Sequence, residues 1–151
     1  MKIRKATLSD VEKISEIEFK SGYKWSQNKK ETINMIKKVF EEKYCEWYIL
    51  EKIKKSIGYF AISFDKKETI CYINYFAIIK IYQGKGFSKL LMKKVINIAK
   101  NKNCNKIKLT VWAKNFTAIN LYTKFGFHVS GIKKNYYKNG NDKLVMEVEI
   151  K

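Results

Sequence analysis

Two glycines separated by one residue stand where an apolar run gives way to an amphipathic segment. Residues 71–82 form a largely apolar stretch, and Gly84 and Gly86 then lead into a helical pattern that begins near Gly86. Glycine adopts backbone angles that other residues avoid, and it leaves no side chain between an anion and the main-chain N–H groups. Those groups lie at the positive end of the following helix, where an anion gains about 0.3–2 kcal/mol. The spacing therefore predicts a phosphate-binding turn and a phosphorylated cofactor.

Length and composition predict one compact domain over residues 1–151. A chain of 151 residues that is 46% hydrophobic can bury one good core but has no room for two. Its three cysteines and single histidine have no metal-ligand spacing, so we expect no metal. The start of the chain lacks an apolar signal-peptide core, and no stretch approaches the ~20 apolar residues of a membrane span. We therefore expect a cytoplasmic protein with no membrane partner, either a monomer or a homodimer.

The net charge of +18 favours anionic ligands over cationic ones. Of the 32 basic residues only Arg4 is an arginine, whereas nucleic-acid readers usually enrich arginine for its planar, bidentate fork. The evenly spread lysines are more typical of a solvated surface than of a nucleic-acid interface, although the charge alone does not exclude nucleic acid. Polyamines become less favourable substrates because a basic protein repels them.

Hydrophobic periodicity predicts alternating strands and helices, and thus an α/β fold with a mixed sheet. Ser9 with Glu12 is predicted to form the capping box of the first helix. The predicted strands cover 2–6, 47–50, 57–64, 69–79, 106–112, 127–132 and 143–150, and the later helices cover 29–43, the segment from Gly86, and 115–125.

Two segments together resemble the signatures of one family. GlnGlyLysGlyPheSer at 83–88, after PheAlaIle at 76–78, resembles the Q/R-x-x-G-x-G/A signature of the GNAT N-acetyltransferase superfamily. AsnPheThrAlaIleAsnLeuTyrThrLysPheGlyPhe at 115–127 resembles its second signature, in the right order and spacing. The GxGxxG and GxxxxGK[ST] patterns of other phosphate-binding folds both fail here. The tail at 136–146 resembles the closing hairpin of ribosomal-protein alanine and other N-terminal α-amino acetyltransferases.

This resemblance implies a fold, a cosubstrate and a set of binding residues. The fold would be a mixed, mostly antiparallel sheet of about seven strands with about four helices, in which the strand holding 76–78 splays away from its neighbour. The cosubstrate would be acetyl-CoA, its pyrophosphate held by the amides of the turn and its thioester carbonyl polarised by the N–H near Ile78. The implied cofactor-binding residues are Phe76, Ala77, Ile78, Gln83, Gly84, Lys85, Gly86, Phe87, Ser88, Lys89 and Asn115. Ser88 departs from the signature's final glycine or alanine, but serine is small enough for a phosphate to approach.

Asn115 and Tyr122 belong to the second signature. Asn115 precedes a predicted helix, where an asparagine caps the N-terminus, and the resemblance implies that it also bonds the cofactor arm. Tyr122 lies on the inward face of that helix, so it is either a packed aromatic or, as we favour, the general acid. A phenol with a pKa of ~10 keeps its proton at neutral pH and can give it to the CoA thiolate.

The general base is not identified. The resembling alanine acetyltransferases carry a glutamate where this chain has Thr110, and an arginine where it has Trp112. Threonine cannot act as a base at pH 7, so either water is relayed through Asn74 or Tyr72, or the amine arrives partly deprotonated. The second is easiest for an α-amine with a pKa of ~8, of which roughly a tenth is neutral at pH 7.

Several further aromatic residues are candidates for the acceptor pocket. They are Tyr23, Trp25, Trp112, Tyr136 and Tyr137, with core packing as the alternative for each. His128, the one histidine, is more typical of a surface position than of a base.

The sequence thus predicts an acetyl-CoA-dependent N-acetyltransferase that acts by direct attack of an amine in a ternary complex. The leading acceptor is the N-terminal α-amine of a protein or peptide. The alternatives are a small amine, such as an amino acid, aminoglycoside or polyamine, and a catalytically weak nucleic-acid-binding domain on the same fold.

Overall fold

A computed structural model of the chain describes residues 1–22, 28–137 and 140–151. The described strands are β1 (Lys2–Lys5), β2 (Glu46–Lys52), β3 (Lys55–Asp65), β4 (Ile70–Ile78), β5 (Lys106–Trp112), β6 (His128–Lys133) and β7 (Lys143–Glu149). The α-helices are α1 (Val11–Ser21), α2 (Lys29–Glu41), α3 (Phe87–Asn101) and α4 (Phe116–Lys124), and short 3-10 turns cover Leu8–Asp10 and Lys80–Tyr82. The predicted α/β fold with a mixed sheet is confirmed.

The strands form a sheet in the order β1-β2-β3-β4-β5-β7-β6. The pairs β1/β2, β2/β3, β5/β7 and β6/β7 are antiparallel, whereas β4 and β5 are parallel. The parallel register runs from Ile70 opposite Lys106 to Ile73 opposite Leu109. Because β4 continues to Ile78, its last residues extend beyond the end of that register.

The chain divides into two compact units, and the first comprises residues 1–63 and 74–94. Its core centres on Trp47, whose ring stacks on Phe40, Tyr59 and Tyr75 at centroid distances of 5.3, 5.9 and 5.2 Å. Apolar residues of α1 and α2 join this cluster. Burial of each large apolar side chain contributes about 1.5–3 kcal/mol, and offset aromatic pairs add to this. The cluster holds α1 and α2 in the same core as β2 and β3.

The second unit comprises residues 64–73 and 95–151. Alternate residues of β5, namely Ile107, Leu109 and Val111, are buried, which is the period expected of a strand with one core face. The intervening lysines face outward, and Lys106 and Lys108 both reach the carboxylate of Glu147 on β7, at 3.0 and 3.4 Å. This unit therefore buries one face of β5 and pairs charges on the other.

The predicted capping box at Ser9 and Glu12 is wrong. The main-chain N–H of Thr7 donates to the Asp10 carboxylate at 3.0 Å, and α1 begins after it, at Val11. Arg4 explains the difference, because its guanidinium binds both carboxylate oxygens of the buried Asp10 at 2.8 Å. The guanidinium holds the pKa of Asp10 well below its usual range. The single arginine of the chain thus ties β1 to the start of α1.

Candidate active site

The turn after β4 has the conformation that its glycines allow. Gly84 and Gly86 have φ angles of +73° and +85°, in the left-handed region that side chains disfavour. A Cβ atom at either position would meet no other atom within 4 Å. The backbone angle, and not crowding within the protein, is therefore what requires glycine at these two positions.

Helix α3 begins at Phe87, directly after the turn. The first four N–H groups of an α-helix have no acceptor within the helix, and they carry the positive end of its dipole. The first bond back to the turn is from the N–H of Leu90 to the carbonyl of Gly86, at 3.3 Å. Lys85 and Lys89 are exposed beside these groups. The local structure is suited to receive an anionic group.

A third lysine reaches the same turn from a distant part of the sequence. Lys52, the last residue of β2, places its Nζ atom 5.2 Å from the ring centroid of Phe87 and 5.9 Å from that of Tyr82. Lys85 lies 5.8 Å from the same Tyr82 ring. Two ammonium groups therefore flank one tyrosine next to the glycines. Sequence reasoning missed Lys52, because only the folding of the β2–β3 hairpin brings it to this turn.

The end of β4 carries the residues predicted to bind the cofactor arm and, near Ile78, the thioester carbonyl. Phe76 and Ala77 are half-buried, and Ile78 is buried. The N–H of Ile79 donates to the carbonyl of Ile57 on β3 at 3.0 Å. Successive peptide groups of a strand point to opposite edges. The N–H of Ile78 is thereby directed to the edge of β4 that faces away from β3.

Gln83 uses its side chain within the protein. Its Nε2 atom donates to the carbonyl of Ile78 at 2.8 Å and to the carbonyl of Ser21, the last residue of α1, at 3.0 Å. A glutamine amide nitrogen has two hydrogens, so both are directed at main-chain oxygens. The sequence placed Gln83 among the cofactor-binding residues but gave no sign of this bridge.

Asn115 caps α4, as predicted. Its Oδ1 atom accepts a hydrogen bond from the N–H of Ala118 at 3.2 Å, which satisfies one of the unpaired donors of the helix start. The cap fixes the orientation of the side-chain amide at the first turn of α4. This local role is compatible with a second one toward a ligand.

Tyr122 lies in α4 and is buried, with 7% of its surface exposed. Its ring packs against Phe127 at a centroid distance of 5.7 Å. Burial raises the pKa of the Tyr122 phenol well above its ordinary value. The phenol therefore carries its proton at neutral pH, as a general acid must before it acts.

The remaining predicted residues differ in their surroundings. Thr110 is exposed on β5, and the Oδ1 atom of Asn74 accepts a hydrogen bond from the Ser63 hydroxyl at 2.9 Å. His128 is exposed at the start of β6. Tyr72 and Trp112 are half-buried.

Two of the predicted pocket tyrosines form a local pair. Tyr136 and Tyr137 pack edge to face at 5.3 Å, and the Nζ atom of Lys143 lies 4.1 Å from the centre of the Tyr136 ring. Tyr23 and Trp25 lie outside the described residues. Tyr136 is exposed beside this lysine, and the acceptor-pocket role of these aromatic residues stays a prediction.

Glu18 is a buried carboxyl group that sequence reasoning overlooked. Its Oε2 atom accepts a hydrogen bond from the Tyr59 hydroxyl at 2.7 Å, and only 5% of the residue is exposed. Burial raises the pKa of Glu18 to about 7, although the Tyr59 hydrogen bond opposes this. The signal was in the sequence, because Glu18 follows Ile14 by four positions and so shares the apolar face of α1.

Within the described ranges, no group of three or more histidine, cysteine, aspartate or glutamate side chains is arranged to hold a metal ion. In the same ranges no helix combines the length and the apolar character needed to cross a membrane.

Most of the chain matches the sequence model of one protein family. Residues 10–127 match the model described as the acetyltransferase (GNAT) family. A Bacillus subtilis (strain 168) protein named "Putative [ribosomal protein bS18]-alanine N-acetyltransferase" is 30% identical over 150 residues, which cover 98% of this chain and 95% of that protein. A spermine/spermidine N(1)-acetyltransferase of the same organism is 37% identical over 68 residues, covering 44% of this chain and 45% of that enzyme.

A solved structure has the same fold over nearly the full length. The ribosomal-protein-S18-alanine N-acetyltransferase from Escherichia coli aligns with a TM-score of 0.82 at 22% identity, covering 99% of this chain and 93% of that one. The fold that the described residues form, a mostly antiparallel seven-stranded sheet with four helices, is thus shared with it.

Proposed function

This chain belongs to the acetyltransferase (GNAT) family, and from that premise we propose that it transfers the acetyl group of acetyl-CoA to the N-terminal α-amine of a protein or peptide. The observation that carries the proposal is the turn at Gly84 and Gly86, where two left-handed glycines open into α3. Its main-chain N–H groups would bind the pyrophosphate of acetyl-CoA. Lys85 and Lys89 would add positive charge beside it.

The end of β4 would hold the acyl end of the cosubstrate. The N–H of Ile78 points away from β3, and we propose that it donates to the thioester oxygen as negative charge develops there. Phe76 and Ala77 would line the adjoining arm, and Asn115 would bond it from the capped start of α4.

The transfer breaks one bond and forms another. The nitrogen of a neutral amine attacks the thioester carbon, a C–N bond forms, the C–S bond breaks, and the sulfur leaves as a thiolate. We assign Tyr122 to protonate that thiolate, because its burial keeps the phenol protonated. The nitrogen loses its extra proton to water.

This scheme suits an α-amine without a strong base. At pH 7 roughly a tenth of an α-amine with a pKa of ~8 is already neutral, whereas under a thousandth of a lysine side chain is. Thr110 stands where a glutamate base was expected, so an acceptor that is easily deprotonated is the one that the site favours. The relative named for ribosomal-protein alanine acetylation, which matches over 98% of the chain, supports the same acceptor class.

A small polyamine is the second candidate. The relative named for spermine and spermidine acetylation supports it, but that match covers 44% of the chain. The net charge of +18 opposes the approach of a polycation. We therefore rank it below the α-amine.

The proposal is tested by CoA thiol release from acetyl-CoA in the presence of a peptide with a free N-terminal alanine. We expect turnover that depends on the peptide and that stops when its α-amine is blocked. Equal turnover with the blocked peptide would refute the α-amine as the acceptor. If no amine tested gives thiol release, the proposed acetyl transfer itself is refuted.

A further inference from the structure

Gln83 connects three separate segments of the first unit. Its own position opens the glycine turn, its Nε2 atom bonds the carbonyl of Ile78 at the end of β4, and the same atom bonds the carbonyl of Ser21 at the end of α1. Ser21 lies 62 positions away in the sequence. One planar amide therefore sets the spacing between the end of a strand and the end of a helix.

Each attachment point is fixed independently. The peptide that joins Ile78 to Ile79 is held at both ends, by Gln83 at its carbonyl and by Ile57 at its N–H. The Ser21 hydroxyl donates to the carbonyl of Glu18 at 2.7 Å, which anchors the last turn of α1. The bridge therefore joins two rigid points, and a change in Gln83 must alter how they stand relative to each other.

We propose that Gln83 is a positioning residue for the acetyl transfer, and this inference rests on the proposed function. By binding the Ile78 carbonyl, Gln83 fixes the orientation of the peptide that joins Ile78 to Ile79. The N–H of Ile78, which comes just before that peptide, is the group that would face the thioester. By holding the Ser21 carbonyl, Gln83 keeps the end of α1 at a set distance from that strand. The main-chain amides of the glycine turn, and not the Gln83 side chain, hold the phosphate.

The chemistry of the bridge restricts the side chains that can form it. Two carbonyl acceptors require two N–H donors on one planar group, which glutamine and arginine both have. Glutamate matches glutamine in size but offers only acceptors when ionised, and leucine offers neither. This gives a physical reason for the alternatives Q and R at the first position of the signature seen at 83–88.

The test compares Gln83→Leu, Gln83→Glu and Gln83→Arg with wild type. We expect kcat at saturating acetyl-CoA to fall about 10- to 100-fold in the leucine and glutamate variants, the range of a lost alignment. The calorimetric Kd for acetyl-CoA should stay within about threefold of wild type, because the turn is intact. The arginine variant should recover kcat to within about threefold. Asn97→Leu, an exposed polar-to-apolar change on α3, is the matched control and should leave both quantities unchanged.

Amide hydrogen exchange tests the bridge without any turnover. In the leucine and glutamate variants, protection of the Ile79 N–H and of the last turn of α1 should fall together, while the arginine variant keeps both. A wild type with no thiol release would refute the proposed function, yet the exchange result would still report on the bridge.

Two results would overturn the positioning role. One is a raised Kd for acetyl-CoA with unchanged kcat, which would make the Gln83 side chain a cofactor ligand. The other is unchanged kcat and unchanged exchange in the leucine variant, which would make the bridge dispensable.

Discussion

At the scale of single residues, the burial of Tyr122 bears directly on its proposed role as a proton donor. A phenol that is 7% exposed is held in place by packing, and the same burial raises its pKa. Packing and proton donation are therefore not competing interpretations of this tyrosine. The packed position keeps the phenol protonated, so that its O–H can donate to the leaving sulfur as negative charge develops there.

We predict that Tyr122→Phe lowers kcat about 10²-fold, the low end of what a lost general acid costs. The Kd for acetyl-CoA should change little, because the ring and its contact with Phe127 remain. Steady-state thiol release and calorimetry measure the two quantities. Tyr48→Phe, which removes a hydroxyl bonded to Glu46 outside the candidate site, is the control. An unchanged kcat in the Tyr122 variant would dismiss the general-acid role.

The glycine turn gives a second prediction at this scale. Gly86→Val forces a β-branched residue to φ near +85°, which costs on the order of 1–3 kcal/mol or displaces the turn. We expect the Kd for acetyl-CoA to rise about tenfold or more by calorimetry. Gly131→Ala is the control, since a Cβ there makes ordinary contacts of 3.6 Å with Val145. Equal affinity in wild type and the Gly86 variant would remove the phosphate assignment.

At this scale the sequence could predict the features that depend on residues close together in the chain, and it missed those that depend on distant segments. The turn at 83–88 and the cap at Asn115 depend on neighbouring residues, so their spacing revealed them. The position of Lys52 and the Gln83 bridge depend on segments that come together only in the folded chain. A pattern of neighbouring residues therefore could not predict either of them.

At the scale of elements, the packing of α1 on β3 includes an ionisable group. Glu18 on the apolar face of α1 receives the Tyr59 hydroxyl of β3 at 2.7 Å. A buried carboxyl prefers its neutral form, so the folded protein binds this proton more tightly than the unfolded chain does. The contact is therefore stabilising at low pH and costly at high pH.

We predict that Glu18→Gln raises the free energy of unfolding at pH 8. The pKa of Glu18 is raised from 4.5 to about 7, so wild-type stability falls as pH rises from about 4.5 to 7, by roughly 3 kcal/mol for this group. Glutamine removes that loss, and its oxygen still accepts from Tyr59. Urea unfolding at pH 5 and pH 8 should give a difference between variant and wild type that grows with pH.

Glu16→Gln is the matched control on the same helix. Its carboxylate is half exposed and pairs with Lys20 on the surface, where an ion pair contributes about 0–1 kcal/mol. A pH-independent difference for Glu18→Gln, as small as that of the control, would contradict the buried-carboxyl account.

The elements themselves followed closely from periodicity, and the main error was at a helix start. The strand predicted at 106–112 is β5 as found, and the helix predicted at 29–43 ends two residues early, at Glu41. The capping box was misplaced because Asp10 is recruited by Arg4. The ion pair with Arg4, six positions before Asp10, decided between two caps that are equally good on their own residues.

At the scale of the whole molecule, the charge of +18 is the feature least explained by the fold. The one arginine forms ion pairs with Asp10 and Glu51. Any polyanion would therefore have to be bound by lysine side chains. This use of Arg4 agrees with the interpretation of the charge as a solvated surface. Composition could not identify the acceptor, because acceptor choice depends on a few side chains and not on the average surface.

The location of the transferred acetyl group tests the central claim most directly. A peptide with an N-terminal alanine and one internal lysine is incubated with acetyl-CoA and the protein, in competition with spermine, and the products are mapped by fragmentation mass spectrometry. We predict acetylation of the α-amine, with kcat/KM about tenfold or more above that of spermine, since the charge repels a polycation. Acetyl groups found only on the lysine side chain or on spermine would contradict the account.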